Sequence, residues 1–196
     1  MTMPRSILLL DGHPDPDKSH LCHALADAYG QAATAAGHTV RRIDLAGLDF
    51  PLLRSAADFR EGEPPATIAD VQAALLAADH LVIVFPLWLG GMPALLRGLL
   101  EQTLRPAFAF EDAPGGWPKG KLKGRSVRLI VTMGMPAFAY RFFFLAHGVK
   151  MMERNILKFV GMGPVRKTYI GMVEELKADT SEKILAKIAG LGRKGE

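Results

Sequence analysis

Residues 5–21 of the chain read RSILLLDGHPDPDKSHL, a short apolar run that ends abruptly in a polar segment broken by prolines. Residues 7–10 are apolar and are followed at once by Gly12 and Pro14, a pattern that predicts a buried strand with an open carboxyl end. From Ser19 onward, apolar residues recur at spacings of three and four, which predicts a helix with Ser19 as its cap. Because unpaired N–H groups at a helix start attract anions, the loop is expected to hold a phosphate, and an ordinary capped turn is the alternative.

The length and composition of the chain favour one domain. It has 196 residues, enough for a core that needs no disulfide, and we predict a single domain over residues 1–196. The only cysteine is Cys22, and no apolar stretch approaches the ~20 residues that span a bilayer. No signal-peptide pattern is found, so we expect a cytoplasmic protein without membrane insertion. A formal net charge of +4 suits anionic cofactors and is too small to predict nucleic-acid binding.

Strands and helices alternate along the rest of the chain. Strands are predicted over residues 38–45, 80–85, 126–132 and 165–170, and helices over residues 66–78, 92–104, 140–160 and 180–191. In the strand over residues 80–85, residues 81–85 are all apolar, as expected for a central strand covered on both faces. Five strands alternating with helices predict an α/β fold with a parallel five-stranded sheet.

Two long segments between these elements are predicted to be irregular, residues 48–65 and 106–124. The second is rich in proline, glycine and aromatic residues, and loops of this length are usually functional or interfacial. Its aromatic residues Phe108, Phe110 and Trp117 are candidates for a wall that faces a substrate or a partner. Packing beneath the loop is the alternative for these side chains.

The topology also predicts where a ligand binds. In open parallel sheets, ligands sit beyond the carboxyl ends of the strands, at the point where the strand order reverses. For the order 2-1-3-4-5, that point lies between the first and third strands. The loops that meet there are residues 13–18, 86–91 and 133–139, and all three contain unusual residues. We therefore predict the functional site at these loops.

Residues 85–98, FPLWLGGMPALLRG, closely resemble the segment after the third strand in the flavodoxin-like NAD(P)H:quinone oxidoreductases of the flavodoxin-2 type. The resemblance extends to His13, to Ser19 and to the sequence TMGMP at residues 132–136, in the same order and spacing. It implies a flavodoxin-like three-layer sandwich with sheet order 2-1-3-4-5 and a noncovalently bound flavin. It also implies hydride transfer from NAD(P)H through that flavin to a quinone or similar electrophilic acceptor, usually within a homodimer.

The same resemblance implies which residues form the site. A flavin ring needs backbone donors along its edge and a flat apolar wall beside it. The implied flavin-binding residues are His13, Ser19, His20, Pro86, Leu87, Trp88, Leu89, Gly90, Thr132, Met133, Gly134 and Met135. Tyr140 and His147 match a tyrosine and a histidine that assist charge relay in the family, His147 after one inserted residue. A helix-face tyrosine and a partly exposed histidine are the alternative, and no metal ligand is implied.

The first loop departs from the family pattern in two ways. Asp15 and Asp17 place two carboxylates in the predicted phosphate loop, partly offset by Lys18 and by a protonated His13. Because these carboxylates would repel a doubly charged FMN phosphate more than the pyrophosphate of FAD, we expect FAD, with FMN as the alternative. Residues 21–22 are Leu and Cys, where family members often have a polar contact.

Two other functions are kept as alternatives. The sequence HPD at residues 13–15 is similar to the first motif of zinc-dependent N-deacetylases. However, Pro16 replaces the second acidic residue, and the spacing His-x-x-His occurs only from His20 to His23 within the first predicted helix. Close relatives of the quinone reductases also act as regulatory subunits of potassium-efflux transporters, and the sequence leaves this role open.

Overall fold

Residues 3–113 and 115–196 are described by a computed structural model of the chain. The strands are β1 (Ser6–Asp11), β2 (Thr39–Asp44), β3 (His80–Pro86), β4 (Phe110–Glu111), β5 (Lys119–Gly120), β6 (Ser126–Thr132) and β7 (Val165–Ile170). The helices are α1 (Leu21–Ala35), α2 (Ala56–Arg60), α3 (Ala66–Ala77), α4 (Ala94–Thr103), α5 (Ala137–Phe142), α6 (His147–Met151) and α7 (Ala178–Lys194). A π-helix, Met152–Leu157, continues α6. No helix in the described ranges is long and apolar enough to cross a membrane.

The main sheet has the order β2-β1-β3-β6-β7, and each neighbouring pair of strands is parallel. Counting these five strands alone, this is the order 2-1-3-4-5, so the predicted flavodoxin-like α/β fold is confirmed. From β1 the chain moves outward to β2 and then returns to β3 on the other side. The strand order therefore reverses between β1 and β3, which opens a crevice at their carboxyl ends.

The sheet is covered on both faces because its strands present apolar side chains to both. Ile7 and Leu9 pack in one core cluster with residues of α1 and α7. Leu8 and Leu10 point to the opposite face and pack in a second cluster with residues of α3 and α4. This alternation is the period of two expected of a strand. It makes the sheet a rigid base for the loops at its edge.

The prediction of one continuous helix over residues 140–160 is wrong. Instead, α5 ends at Phe142 and α6 begins at His147, because Leu145 and Ala146 adopt left-handed conformations with φ of 53° and 50°. The break lets Gly148 approach the loop after β3, where a Cβ atom would lie 2.0 Å from the carbonyl oxygen of Gly90. Apolar spacing along the chain carries no information about this long-range contact.

Both segments predicted to be irregular contain short regular elements. Residues 48–65 include α2, whose start is capped by the Ser55 hydroxyl, which accepts a hydrogen bond of 3.0 Å from the Asp58 N–H. Residues 106–124 include the antiparallel pair β4 and β5. The final helix is also longer than predicted and runs from residue 178 to residue 194.

The aromatic wall predicted in the second segment is wrong for two of its three residues. Phe110 is buried with its ring centroid 4.9 Å from that of Phe159, and Phe108 packs against the core. Trp117 is 90% exposed but lines none of the cavities described below. The alternative, packing beneath the loop, describes Phe108 and Phe110.

Candidate active site

A cavity of about 350 Å³ opens at the carboxyl edge of the sheet, where β1, β3 and β6 end. We call it the first cavity. It is lined by His13, Asp15, His20, Leu21, Cys22, Pro86, Leu87, Trp88, Thr132, Met133, Gly134, Val173 and Glu174. The structure thus brings together residues from all three predicted loops. Four predicted flavin-binding residues lie outside its lining, namely Ser19, Leu89, Gly90 and Met135.

Ser19 does not cap α1, contrary to the prediction. The helix begins at Leu21, and its cap position is His20, whose side chain makes no capping hydrogen bond. Ser19 itself is exposed, and its N–H donates a hydrogen bond of 2.9 Å to the Asp17 carboxylate. Within the described chain, the N–H groups of Leu21 and Cys22 have no acceptor and stand free at the start of α1.

Two histidines and Trp88 form one wall of the first cavity. The rings of His13 and His20 are stacked with centroids 4.1 Å apart, and Trp88 meets His13 edge to face at 6.0 Å. Burial, together with repulsion from His20, holds the pKa of His13 below its ordinary value. A protonated His13, predicted as an offset to the loop carboxylates, is therefore not supported. No group of three or more His, Cys, Asp or Glu side chains in residues 3–113 and 115–196 is arranged to hold a metal ion.

The two loop carboxylates are directed at the loop itself. Asp15 accepts a hydrogen bond of 2.9 Å from the Asp17 N–H and also contacts His20 Nε2 at 3.2 Å. Asp17 accepts from the Ser19 N–H in the same way. These backbone hydrogen bonds are the main reason that the pKa of each carboxyl lies below its ordinary value. Their charge therefore organises the turn, which weakens the argument that it would repel a phosphate.

Beneath the first cavity lies a buried ionic cluster that the sequence did not reveal. Asp11 is fully buried and accepts hydrogen bonds from His23 Nδ1 at 2.6 Å and from an Arg42 Nη2 at 2.9 Å. The Nε2 of His23 is 2.9 Å from the carbonyl oxygen of Asp15. The second Asp11 oxygen accepts a hydrogen bond from the His13 N–H, with 3.3 Å between nitrogen and oxygen. The cluster thus connects β1, β2 and α1 to residues 13 and 15 of the loop that follows β1. Its only local signal is an acidic residue at the end of an apolar strand.

A second cavity, of about 500 Å³, adjoins the turn that follows β3. It is lined by Leu89, Gly90, Gly91, Met135, Tyr140, Phe144, His147 and Gly148. The turn is closed by reciprocal backbone hydrogen bonds between Trp88 and Gly91, at 2.9 and 3.0 Å, with Leu89 and Gly90 in left-handed conformations at its centre. Such a turn exposes its central residues, and Leu89 is fully exposed. Gly90 supplies the conformational freedom that the turn needs.

The two predicted catalytic residues meet in the second cavity but differ in their surroundings. Tyr140 is buried, its hydroxyl donates to the Gly90 carbonyl at 3.1 Å, and it accepts from the Val149 N–H at 3.2 Å. Burial raises the pKa of Tyr140, against the effect of its backbone hydrogen bonds. Tyr140 thus joins the turn to α6, whereas His147 is exposed at the cavity. Their catalytic roles remain predictions.

Five residues of the first cavity were missed as binding residues: Asp15, Leu21, Cys22, Val173 and Glu174. Cys22 packs with its Sγ 3.2 Å from the Thr132 hydroxyl, and burial raises the pKa of its thiol to about 12, so it is not a thiolate at neutral pH. Val173 and Glu174 follow β7. Because all parallel strands end at one edge, the loop after the fifth strand could have been included from the sequence.

The sequence profile of the family described as Flavodoxin-like fold matches residues 5–191. The chain belongs to this family. A protein of Haemophilus influenzae named uncharacterized NAD(P)H oxidoreductase is 28% identical to this chain over 139 residues, covering 69% of this chain and 68% of that protein. FMN-dependent NADH:quinone oxidoreductase 2 of Listeria innocua is 29% identical over 150 residues, covering 71% and 70%.

Among solved structures, that of Smu.1420 from Streptococcus mutans UA159 superposes with a TM-score of 0.79 at 27% identity, covering 95% of this flavodoxin-fold chain and 98% of that one. The family match and the two named relatives confirm the resemblance to NAD(P)H oxidoreductases that the sequence motifs indicated. The flavin in the name of the Listeria relative is FMN. The expectation of FAD as the main flavin therefore finds no support.

Proposed function

We propose that the protein is a flavin-dependent NAD(P)H oxidoreductase that passes hydride through bound flavin to a quinone or a similar electrophilic small molecule. The observation that carries this function is the first cavity, which joins the loops after β1, β3 and β6 at the reversal of strand order. Relatives matched over two thirds of their length have names of the same enzyme class. The flavin would supply the redox chemistry, and the chain's residues would bind it, orient it and shield it from water.

The residues of the first cavity fit a flavin. Trp88 is 49% exposed and, with Leu87 and Met133, offers an apolar surface for a flat ring. A Cβ atom at Gly134 would meet no atom closer than 3.7 Å, so there is room for a ring beside the backbone of the loop after β6. The free N–H groups at the start of α1 would suit a phosphate.

We propose FMN as the flavin. The carboxylates of Asp15 and Asp17 accept hydrogen bonds from their own loop, so their charge is already compensated in part. The repulsion that favoured FAD over FMN is weakened accordingly. The name of the Listeria relative supports the same choice.

In the proposed enzyme, His147 faces the second cavity and is the candidate proton donor, because histidines exchange protons near neutral pH. Tyr140 holds the turn after β3 in place through its hydrogen bond to Gly90.

An absorption spectrum tests the function. We expect the purified protein to retain FMN through gel filtration, to lose the visible flavin bands when NADH or NADPH is added without oxygen, and to recover them when a soluble quinone follows. Trp88→Ala should lower FMN retention, whereas Trp117→Ala, which removes a tryptophan outside the lining of the cavity, should not. A protein that retains neither FMN nor FAD after reconstitution would rule out this function.

We also propose that the protein is a homodimer whose partner covers the second cavity. Leu89 and Phe144 line this cavity, and the Phe143 ring packs on that of Phe144 with centroids 5.1 Å apart. These three apolar residues are between 50% and 109% exposed, and we call them the apolar rim. Exposed apolar surface of this kind is typical of an interface. A second copy is the occupant that the family resemblance implies, and covering the rim would also exclude water from the reacting atoms.

Light scattering tests the dimer. The expected mass is twice the 21.3 kDa of one chain. Phe143→Glu should shift the protein to the monomer because it places a charge in the apolar rim, and Leu76→Glu, at an exposed leucine on α3, should leave the mass unchanged. A wild-type mass near that of one chain at micromolar concentration would contradict the proposal.

A further inference from the structure

We infer that a cationic cavity beside α5 binds the 2′-phosphorylated adenosine end of the reducing dinucleotide, so that NADPH is preferred to NADH. This inference rests on the proposed function and specifies NADPH as the reductant of the proposed oxidoreductase. The cavity has a volume of about 600 Å³, room for part of a nucleotide. We call it the third cavity.

The charge of the third cavity is strongly one-sided. Its lining contains five cationic side chains and one carboxylate, namely Arg141, Lys150, Arg154, Lys158, Lys167 and Glu153. Glu153 is 8% exposed, pairs with Lys158 at 2.8 Å, and forms a second ion pair with Lys167. Although burial opposes ionisation, these ion pairs hold the pKa of Glu153 below its ordinary value. The carboxylate is therefore already shared between two lysines.

The three other cations have no such partner. Arg141, Lys150 and Arg154 are exposed, and none of them forms an ion pair with a carboxylate of residues 3–113 or 115–196. Arg141 comes from α5, whereas Lys150 and Arg154 lie four residues apart on α6 and on the π-helix that continues it, so the segments on the two sides of the break converge on one cavity. Converging, unpaired cations are the chemistry that recognises a phosphate, and arginine does so with two parallel hydrogen bonds. π-helices also occur frequently at functional sites.

The walls of the cavity suit the rest of a nucleotide. Phe142, Leu145 and Ala146 line it beside Tyr169, so aromatic and aliphatic surface lies next to the cations. The Arg141 guanidinium carbon is 5.3 Å from the centroid of the Phe142 ring, which keeps the cation beside an aromatic face. An adenine base could stack in this surrounding while its ribose phosphate meets the cations. A free inorganic anion would use only the charges.

The third cavity is joined to the proposed active site. The rings of Tyr140, in the second cavity, and Tyr169, in the third, lie 5.9 Å apart between centroids. The left-handed pair Leu145 and Ala146 lines the third cavity, and the next residue, His147, lines the second. A dinucleotide is an extended molecule with two separate ends. One end could therefore lie at the flavin while the other reaches the third cavity around α5.

Steady-state kinetics of the flavin-loaded protein test the inference. Arg141→Ala and Arg154→Ala should each lower kcat/KM for NADPH by about tenfold, because a hydrogen bond to a charged group contributes at least that factor in affinity. The value for NADH should change less than about twofold, because NADH lacks the 2′-phosphate. Lys183→Ala, which removes an exposed charge on α7, should change neither value and controls for net charge. Equal losses for both dinucleotides would overturn the inference.

Calorimetric titration of the purified protein separates this inference from the proposed function. Adenosine 2′,5′-bisphosphate should bind more tightly than adenosine 5′-monophosphate, and the double variant R141A/R154A should abolish the difference. Inorganic phosphate should bind more weakly than either nucleotide. Equal binding of the two nucleotides, or binding of inorganic phosphate alone, would overturn the inference. A protein that retains no flavin yet discriminates the nucleotides would refute only the proposed function.

Discussion

His23→Ala is expected to lower the free energy of unfolding by about 3 kcal/mol, the order of magnitude found when a buried charged group loses a hydrogen-bond partner. The reason is the burial of Asp11, which is fully buried and has His23 Nδ1 at 2.6 Å. The variant would leave this carboxylate with Arg42 as its only side-chain partner and open a gap in the core. Urea unfolding followed by circular dichroism measures the change.

The same variant should weaken FMN binding, because His23 also contacts the carbonyl of Asp15 at 2.9 Å and so positions the loop of the first cavity. A matched control is Asp27→Asn. Asp27 also pairs with Arg42, but its side chain is 51% exposed, so its removal should cost less than about 1 kcal/mol. A loss for His23→Ala as small as that of the control would show that the cluster contributes little to stability.

Gly148→Ala is expected to lower FMN affinity by about a hundredfold and to destabilise the fold by about 1–3 kcal/mol, the range for an overpacked interior. The added methyl would lie 2.0 Å from the Gly90 carbonyl oxygen and 2.8 Å from the Gly91 Cα. Both neighbours are backbone atoms, so the turn must move. That movement breaks the hydrogen bond from Tyr140 to Gly90 and displaces Trp88 at the edge of the first cavity.

Fluorescence titration of FMN against the wild type and the variant measures this loss. Gly47→Ala is the control, because a Cβ atom at Gly47 would meet no atom within 4 Å and φ there is not positive. It should bind FMN like the wild type. If Gly148→Ala also bound FMN normally, the turn after β3 would have no part in holding the ring, and the proposed position of the flavin would be incorrect.

Local patterns predicted most of the sheet. The apolar runs at residues 7–10 and 81–85 are visible without any tertiary contact, because a strand buried on both faces presents apolar side chains to both. The loops of the first cavity could be predicted for the same reason, since parallel strands end at a common edge. What failed were features that depend on distant residues, such as the packing of Phe110 on Phe159.

The sequence by itself determined the α/β fold and the edge at which a ligand would bind, because periodicity and turn residues act over a few neighbours. The order of the strands was implied by the resemblance to the quinone oxidoreductases, and the structure confirms it. Only the tertiary structure decided three other features: the helix predicted over residues 140–160 breaks after α5, the Tyr140 hydroxyl donates a hydrogen bond to the Gly90 carbonyl, and Asp11 accepts hydrogen bonds from His23 and Arg42. Each of these depends on atoms far apart in the chain that meet at close range. Such contacts follow from packing in three dimensions, which local sequence patterns do not encode.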